Sequence, residues 1–445
     1  MSDVAGMGGE ATPPGIECAC PPCQACTGPN GSCVALGLRE QDGTPPGVCN
    51  GDNWCTEDGR CEQKAQVVVG TRHTCALLPD GNVRCWGSGT LGYANTATVG
   101  DDETPASVGN VDVGGRVVEL AAGATQTCAL LEAGNVRCWG AHGETGVLGY
   151  GDMYNIGDDE APGSVGDVPV GGKVRHLVAS TTRVCALLES GSVRCWGQDA
   201  GRGFLGYPDN DDVGDNESPS MVGDVQIGGA VRSIAVGPLV SCAVLLNGQE
   251  RCWGANQQGQ LGLGHHETIG DDDTPASAGS MLLSQPVAQA APGAGHNCVL
   301  LEGGKLRCWG SIYPFNYDTH PDAIPNIDVG MDVQTIASGE HHVCALSPSG
   351  DLKCWGKNTH GELGSAAIGD IASGSDPFDV ASAPVVDVGG AVFELALGVT
   401  HMCVLLADAR IRCWGDGSAG QLGYGNINNV GDHQTPASVG DVPYR

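Results

Sequence analysis

Pairs of cysteines ten positions apart recur seven times in this chain, and each second cysteine is followed by Trp-Gly. The pairs are Cys75 with Cys85, Cys128 with Cys138, Cys185 with Cys195, Cys242 with Cys252, Cys298 with Cys308, Cys344 with Cys354, and Cys403 with Cys413. Each copy reads as a β-hairpin. In the first, strand-forming residues flank Pro79-Asp80-Gly81. Pro and Asp suit the centre of a type I turn, and Gly supplies the left-handed residue that closes a three-residue loop. With that loop, Leu78 faces Asn82 and Cys75 faces Cys85. Directly opposed residues bring their Cβ atoms within reach of a disulfide. Spacing, turn and cysteines agree on one register, so all fourteen hairpin cysteines are expected in intra-repeat disulfides. Six copies have Gly six positions after the first cysteine: Gly81, Gly134, Gly191, Gly248, Gly304 and Gly350. The seventh has Ala409, which a left-handed position would strain.

The first cysteines of successive copies lie 46 to 59 residues apart, the period of a repeat architecture. Between Thr104 and Gly140 a whole unit is visible. Pro105 to Val108 and Val111-Asp112-Val113 suggest an outer strand, Val117 to Gly123 a second, and the hairpin supplies two more. Four short strands per unit and Gly-rich joints predict an all-β chain, a seven-bladed β-propeller over 65–445. The first unit opens at Gln66 without an outer strand, and the chain ends on Thr435 to Tyr444, which has that strand's pattern. The terminal strand is therefore expected to complete the first blade and close the ring.

Cysteine number points to the compartment. The chain has 22, of which eight precede residue 65. So many cysteines imply an oxidising, extracytoplasmic setting: secreted, periplasmic or cell surface. Met1 to Gly15 is small, polar and Pro-rich, and no signal peptide is visible in it. Residues 1–17 read as a flexible tail and 18–64 as a Cys-rich segment held by cross-links, since so short a piece cannot build a core. Cys20, Cys23 and Cys26 have a spacing that zinc could also use; four disulfides agree better with the hairpins. Asn53 to Cys61 looks like the Cys-rich modules of extracellular proteins.

The formal charge of −31, with only 21 Lys and Arg, argues against nucleic acid as partner. No stretch is long and apolar enough to span a membrane.

Ala-Ala-Gly, His-Thr-Cys-Ala-Leu, a turn Gly, Val-Arg-Cys-Trp-Gly and Gly-Gln-Leu-Gly (Gly259 to Gly262, Gly420 to Gly423) together resemble the regulator of chromosome condensation repeat. The resemblance covers about residues 65–445. It implies a seven-bladed propeller that binds proteins. The family's best-known member exchanges guanine nucleotide on a small GTPase, and a secreted relative of the same propeller type inhibits β-lactamases. Paired hairpin cysteines depart from the nuclear member.

Few residues suggest chemistry. The seven Trp-Gly tryptophans (Trp86, Trp139, Trp196, Trp253, Trp309, Trp355, Trp414) should pack between blades, each indole N–H needing a partner; exposed rings would instead stack sugars. Acidic loops follow Gly in six units, including Asp101, Asp102, Asp158, Asp159, Asp271 and Asp272. Their carboxylates can cap turns or, with loop carbonyls, hold calcium, although the calcium-loop spacing is absent. Two positions before the first cysteine stand His73, His296, His342 and His401, with Gln126, Arg183 and Val240 in the other units. Neighbouring units carry the histidines, so they could line one side of the axial channel and bind a metal, or serve structural hydrogen bonds. After Trp309 the repeat breaks, and Tyr313, Phe315 and Tyr317 alternate. They are a candidate hot spot for a protein partner. No nucleophile–base set is evident. The sequence thus points to an exported, non-enzymatic recognition propeller without a cofactor, calcium aside. The alternatives are a regulator of an enzyme or small GTPase, and a carbohydrate-binding propeller.

Overall fold

The computed structural model describes residues 65–281, 283–312, 320–369 and 380–445, together with the backbone of five short strands elsewhere. The chain divides into two units, one of residues Met1–Lys64 with Leu78–Asp80 and one of Ala65–Leu77 with Gly81–Arg445. In the first unit Gln24–Thr27 pairs with Ser32–Ala35, and Asn53–Cys55 pairs with Cys61–Gln63. These antiparallel registers set Cys26 opposite Cys33 and Cys55 opposite Cys61. The expected tail over 1–17 and the other cross-links of the Cys-rich segment lie outside the described residues.

The second unit is a ring of seven blades, numbered here in chain order. Six are sheets of three strands and the fifth has four. Blade 1 comprises an inner strand Gln66–Val69, a middle strand His73–Leu77 and a third strand Val83–Gly87. Segments of all seven inner strands line one axial cavity of about 430 Å³. Its wall is mostly aliphatic, with Val68, Ala121, Val178, Ala235, Ala291, Ala337 and Ala396 at equivalent places.

Every hairpin adopts the register that the cysteines require. Cys75 faces Cys85, Cys128 faces Cys138, Cys185 faces Cys195 and Cys242 faces Cys252. In the last three blades Cys298 faces Cys308, Cys344 faces Cys354 and Cys403 faces Cys413. All seven pairs are disulfide-bonded, with Cα–Cα separations of 4.0 to 4.1 Å. The loop is as expected: in blade 2, Leu131 N–H donates to Asn135 O and Gly134 N–H donates to Leu131 O. Gly134 has φ +78° and Ala409 has φ +62° at the equivalent position. A Cβ in that region costs about 1 kcal/mol. Ala409→Gly is therefore expected to raise the urea midpoint by about that stability, and a lower midpoint would be the contrary result.

Two expectations need correction. Among the described residues, and blade 5 aside, the segment after a hairpin does not form a regular fourth strand leading into the next blade. Pro105–Ser107 is a single helical turn, and Val111 bridges back to Val83 of its own hairpin. Val99 bridges Gly87 in the same way. The outer edge of blade 1 is thus two isolated bridges with a gap between them, and it belongs to the preceding hairpin; blades 2, 3, 4 and 7 repeat the bridge at the Gly of Trp-Gly. The second correction follows from the first. Val442 N–H donates to Ile411 O, so the terminal segment edges blade 7 rather than completing blade 1. It hydrogen-bonds to the first blade through Pro443 O, which accepts from Ala106 N–H, and Tyr444 O, which accepts from Arg84.

Tyrosines fill the gap at the blade edge. Tyr93, Tyr150, Tyr207 and Tyr424 place their hydroxyls at the second cysteine of their hairpins, each accepting from its backbone N–H at 3.0 to 3.3 Å. Tyr150 also donates back to Cys138 O at 3.2 Å, and burial pushes its phenol up to about 12. Removing one partner of a buried backbone group costs about 1–3 kcal/mol. Tyr150→Phe should lower the unfolding free energy by that amount, measured in urea. No change would show that water replaces the hydroxyl.

In blade 5 the third strand runs on to Ile312 and pairs with Phe315–Tyr317. Phe315 and Tyr317 do alternate within that strand. Tyr313 and the side chains of Phe315 and Tyr317 lie outside the described residues.

Candidate functional site

The polar residues singled out in the sequence meet at the junctions between blades. A middle strand alternates its side chains between its two faces, and each face packs on a different neighbouring blade. His73 therefore reaches blade 2, where its Nε2 lies 2.9 Å from Thr127 Oγ1. Thr74, one residue on, reaches blade 7, where its Oγ1 lies 3.0 Å from His401 Nε2. The Thr74 hydroxyl donates to Gln421 O at 2.8 Å, so His401 Nε2–H is the donor to Thr74. Arg183 of blade 3 uses the same route: its Nε donates to Ser241 Oγ of blade 4 at 3.0 Å. Ser241 in turn donates to Phe204 O of blade 3 at 3.1 Å.

The same loop carbonyls receive the tryptophans. Trp86 Nε1 donates to Gln421 O at 2.9 Å, and Trp253 Nε1 donates to Phe204 O at 3.1 Å. Trp139, Trp196, Trp309 and Trp414 donate to Leu91, Val147, Gln260 and Glu362 of the preceding blade. These six indoles and that of Trp355 are buried. The expected packing between blades holds, and no Trp-Gly ring is exposed to stack a sugar.

The histidines do not converge on the axis. All four are buried in blade junctions, and burial drives their pKa values down. His73 and His342 fall to about 4, and His296 and His401 to about 3. His296 faces blade 6 at the place where Val343 replaces the Thr of blades 1 and 2; neither ring nitrogen has a partner among the described residues. Glu250, buried in blade 4, accepts from Asn297 Nδ2 of blade 5 at 3.1 Å. Burial pushes its carboxyl up to about 8, against which the Asn297 hydrogen bond acts. It lies against Cys242 and Cys252, but those sulfurs are spent in a disulfide and are no metal ligands.

The acidic loops occupy one rim. Gly100, Gly157, Gly214, Gly270 and Gly431, which open five of them, have positive φ. They abut the Leu-Gly loop of the preceding blade, where a Cβ on Gly214 would collide with Gly146 O and one on Gly100 with Gly420 O. The last acid of the loop caps its start. Glu160 accepts from Gly157 N–H at 3.2 Å, and Asp273 from Gly270 N–H at 2.7 Å. Asp101, Asp102 and Glu103 gather their carboxylates within 4.8 Å of one another, as do Asp158, Asp159 and Glu160, and Asp271, Asp272 and Asp273. The turn-capping role is thus present in the geometry. One carboxylate of the second and third groups is already engaged by its own loop.

Family models for the regulator of chromosome condensation (RCC1) repeat match residues 65–92, 252–300, 333–362 and 394–421. The chain carries RCC1 repeats. It is 27% identical over 268 residues to the human E3 ubiquitin-protein ligase HERC2, covering 58% of this chain and 5% of HERC2. Over 197 residues it is 32% identical to the Arabidopsis thaliana ultraviolet-B receptor UVR8, covering 44% of this chain and 41% of the receptor. The chain therefore spans half or less of these two curated relatives. Among solved structures, yeast RCC1 (Prp20) bound to Kap60 superposes with a TM-score of 0.62 at 22% identity, over 80% of this chain and 83% of that one. Human WBSCR16 gives 0.58 at 18% identity, over 75% and 83%. These likenesses show the RCC1 propeller fold.

Several working residues of this RCC1-repeat ring escaped the sequence reading. Asn256 and Asn358 are fully enclosed and each bonds across its own loop, Asn256 to His265 O and Glu267 O, and Asn358 to Ala367 O. Asp199 does the same with the N–H groups of Gly203 and Leu205. Their common place, three residues after the Trp of Trp-Gly, was a visible signal. The blade-edge tyrosines follow Leu-Gly in four units, which was another.

Proposed function

We propose that this chain is an exported, non-enzymatic protein-recognition propeller, with residues 18–64 as an accompanying Cys-rich module. The carrying observation is the set of seven intra-blade disulfides on an RCC1-type ring. Among the described residues no cysteine is free. Disulfides persist in oxidising compartments and are rare where thiols are kept reduced. His73, His401, six of the tryptophans and the hydroxyls of Thr74 and Ser241 are engaged in joining blades, which leaves recognition to the loops at the rims. Yeast RCC1 (Prp20), of the same fold, is bound by Kap60, which supports a protein-binding or regulatory role for such a ring. Among the described residues no helix is long and apolar enough to cross a membrane. Regulation of a small GTPase is the second reading; it rests on the fold alone, and a cytosolic GTPase partner fits poorly with oxidised hairpins.

Native mass spectrometry of the protein taken from its source, with and without reductant, tests the proposal. The expected result is an oxidised propeller that carries a protein partner. Reduced hairpins, or stimulated nucleotide exchange on a small GTPase by the purified chain, would overturn it.

A further inference from the structure

We propose that the rim formed by blades 2 and 3 is the docking surface, and that it takes a basic protein segment bearing an apolar side chain. This rests on the recognition reading above and gives it an address. The first observation is an exposed apolar pair. Tyr154 is 75% exposed, the highest value for any large hydrophobic among the described residues, and its neighbour Met153 is 49% exposed. The fold does not require either. At the place of Tyr154, blades 1, 3, 4 and 7 carry Ala97, Asp211, Glu267 and Asn428. Large amphipathic rings held in the open supply interface anchors at little entropic cost.

The second observation is what surrounds the pair. Gly151 N–H donates to Gly214 O at 3.1 Å, which lays the Met153–Tyr154 loop against the acidic loop of blade 3. A Cβ on Gly151 would stand 3.3 Å from the backbone of Glu217. On the other side, Asn155 Nδ2 donates to Asp158 Oδ2 at 3.3 Å, which ties the pair to the acidic loop of its own blade. Residues 138–172 contain six Asp and Glu and no Lys or Arg, and residues 203–231 likewise contain six and none. Two of these acids, Asp167 and Asp224, are paired with Arg137 and Arg194 from the hairpins. The rest keep their charge unmatched by any cation of these stretches. Burial, then the neighbouring carboxylates, raise Glu160 and Glu217 above the usual range. A cationic partner relieves that crowding, and the Tyr154 ring and Met153 thioether give its apolar side chain a seat. An apolar centre inside a charged rim is the usual anatomy of a specific interface.

The test uses the full oxidised chain and two short fluorescein-labelled peptides of equal positive charge, one of Arg and Leu, the other of Arg and Ser. The Arg/Leu peptide should bind at least about tenfold more tightly. Hydrogen exchange should show its footprint on 151–160 and 209–217. Met153→Ser with Tyr154→Ser should abolish the difference between the peptides without moving the melting temperature. Equal binding of the two peptides, a footprint elsewhere, or full affinity in the double variant overturns the proposal. So does binding to phosphatidylcholine vesicles that the double variant loses. Crosslinking in the source compartment separates this failure from that of the recognition reading. A double variant that captures what the wild type captures removes only this surface. Capture of nothing by either form removes both.

Discussion

Lowering the pH from 6.5 to 5 is expected to destabilise the propeller by roughly 5 kcal/mol. The four junction histidines drive this. Each is held neutral in the folded ring, with pKa values of about 4 for His73 and His342 and about 3 for His296 and His401. In the unfolded chain each titrates near the ordinary value of about 6.5. Below that value the unfolded chain takes up protons that the folded ring refuses, so stability present above pH 6.5 is lost as the pH falls toward 4. Each histidine contributes a slope of about 1.4 kcal/mol per pH unit. Glu250 opposes them. Its carboxyl titrates at about 8 when folded, so acid favours the folded form at that one site. Three net protons remain, or about 4 kcal/mol per unit. His341 and Glu340 also stand near the junction of blades 5 and 6, and His360 and Glu362, paired at 3.0 Å, near that of blades 6 and 7. Urea midpoints at the two pH values measure the effect. His296→Gln should remove one proton from the slope. A midpoint that is flat or rises on acidification would show that the rings are charged, or solvated, in the folded state.

Replacing Glu250 by Val together with Asn297 by Thr is expected to stabilise the protein by about 3 kcal/mol at pH 7. The other six blades carry Val83, Val136, Val193, Leu306, Leu352 and Ile411 at the place of Glu250. At the place of Asn297, blades 1 and 2 carry Thr74 and Thr127. The wild-type carboxyl must bind a proton to fold at neutral pH. Its folded form is favoured below the unfolded value of about 4.5, and that advantage is lost as the pH rises through about 8. The variant's gain should therefore be small near pH 4.5 and largest above pH 8. Changing both residues matters, because Glu250 alone would leave the buried Asn297 amide without its acceptor. A gain that does not vary with pH would mean that Glu250 is not the titrating group.

The hairpins were legible because their information is local. Cys75, Cys85 and the turn between them fix one register within a few residues, and the left-handed Ala409 follows from the same count. Ownership of the outer edge was not legible. Val111 can pair with the hairpin before it or the strand after it with equal hydrophobic pattern. What decides is Tyr93, whose hydroxyl fills the gap at Cys85. The same ambiguity misplaced the terminal strand. The structural hydrogen bonds expected of the histidines are made by His73 and His401, and the channel-lining alternative failed for a different reason. In a propeller the inner strands line the axis, and middle-strand residues face neighbouring blades. Alternation from His73 to Thr74 would have sent them to opposite neighbours, as observed. The acidic loops were readable as turns, but their seat on the preceding blade depends on contacts some 60 residues apart, such as Gly151 with Gly214.

Non-reducing peptide mapping of the protein taken directly from its native source tests the oxidised, exported ring most directly. Seven linked peptides should appear: Cys75 with Cys85, Cys128 with Cys138, Cys185 with Cys195, Cys242 with Cys252, Cys298 with Cys308, Cys344 with Cys354, and Cys403 with Cys413. Links between different hairpins, or hairpin cysteines that alkylate freely in the native protein, would contradict it.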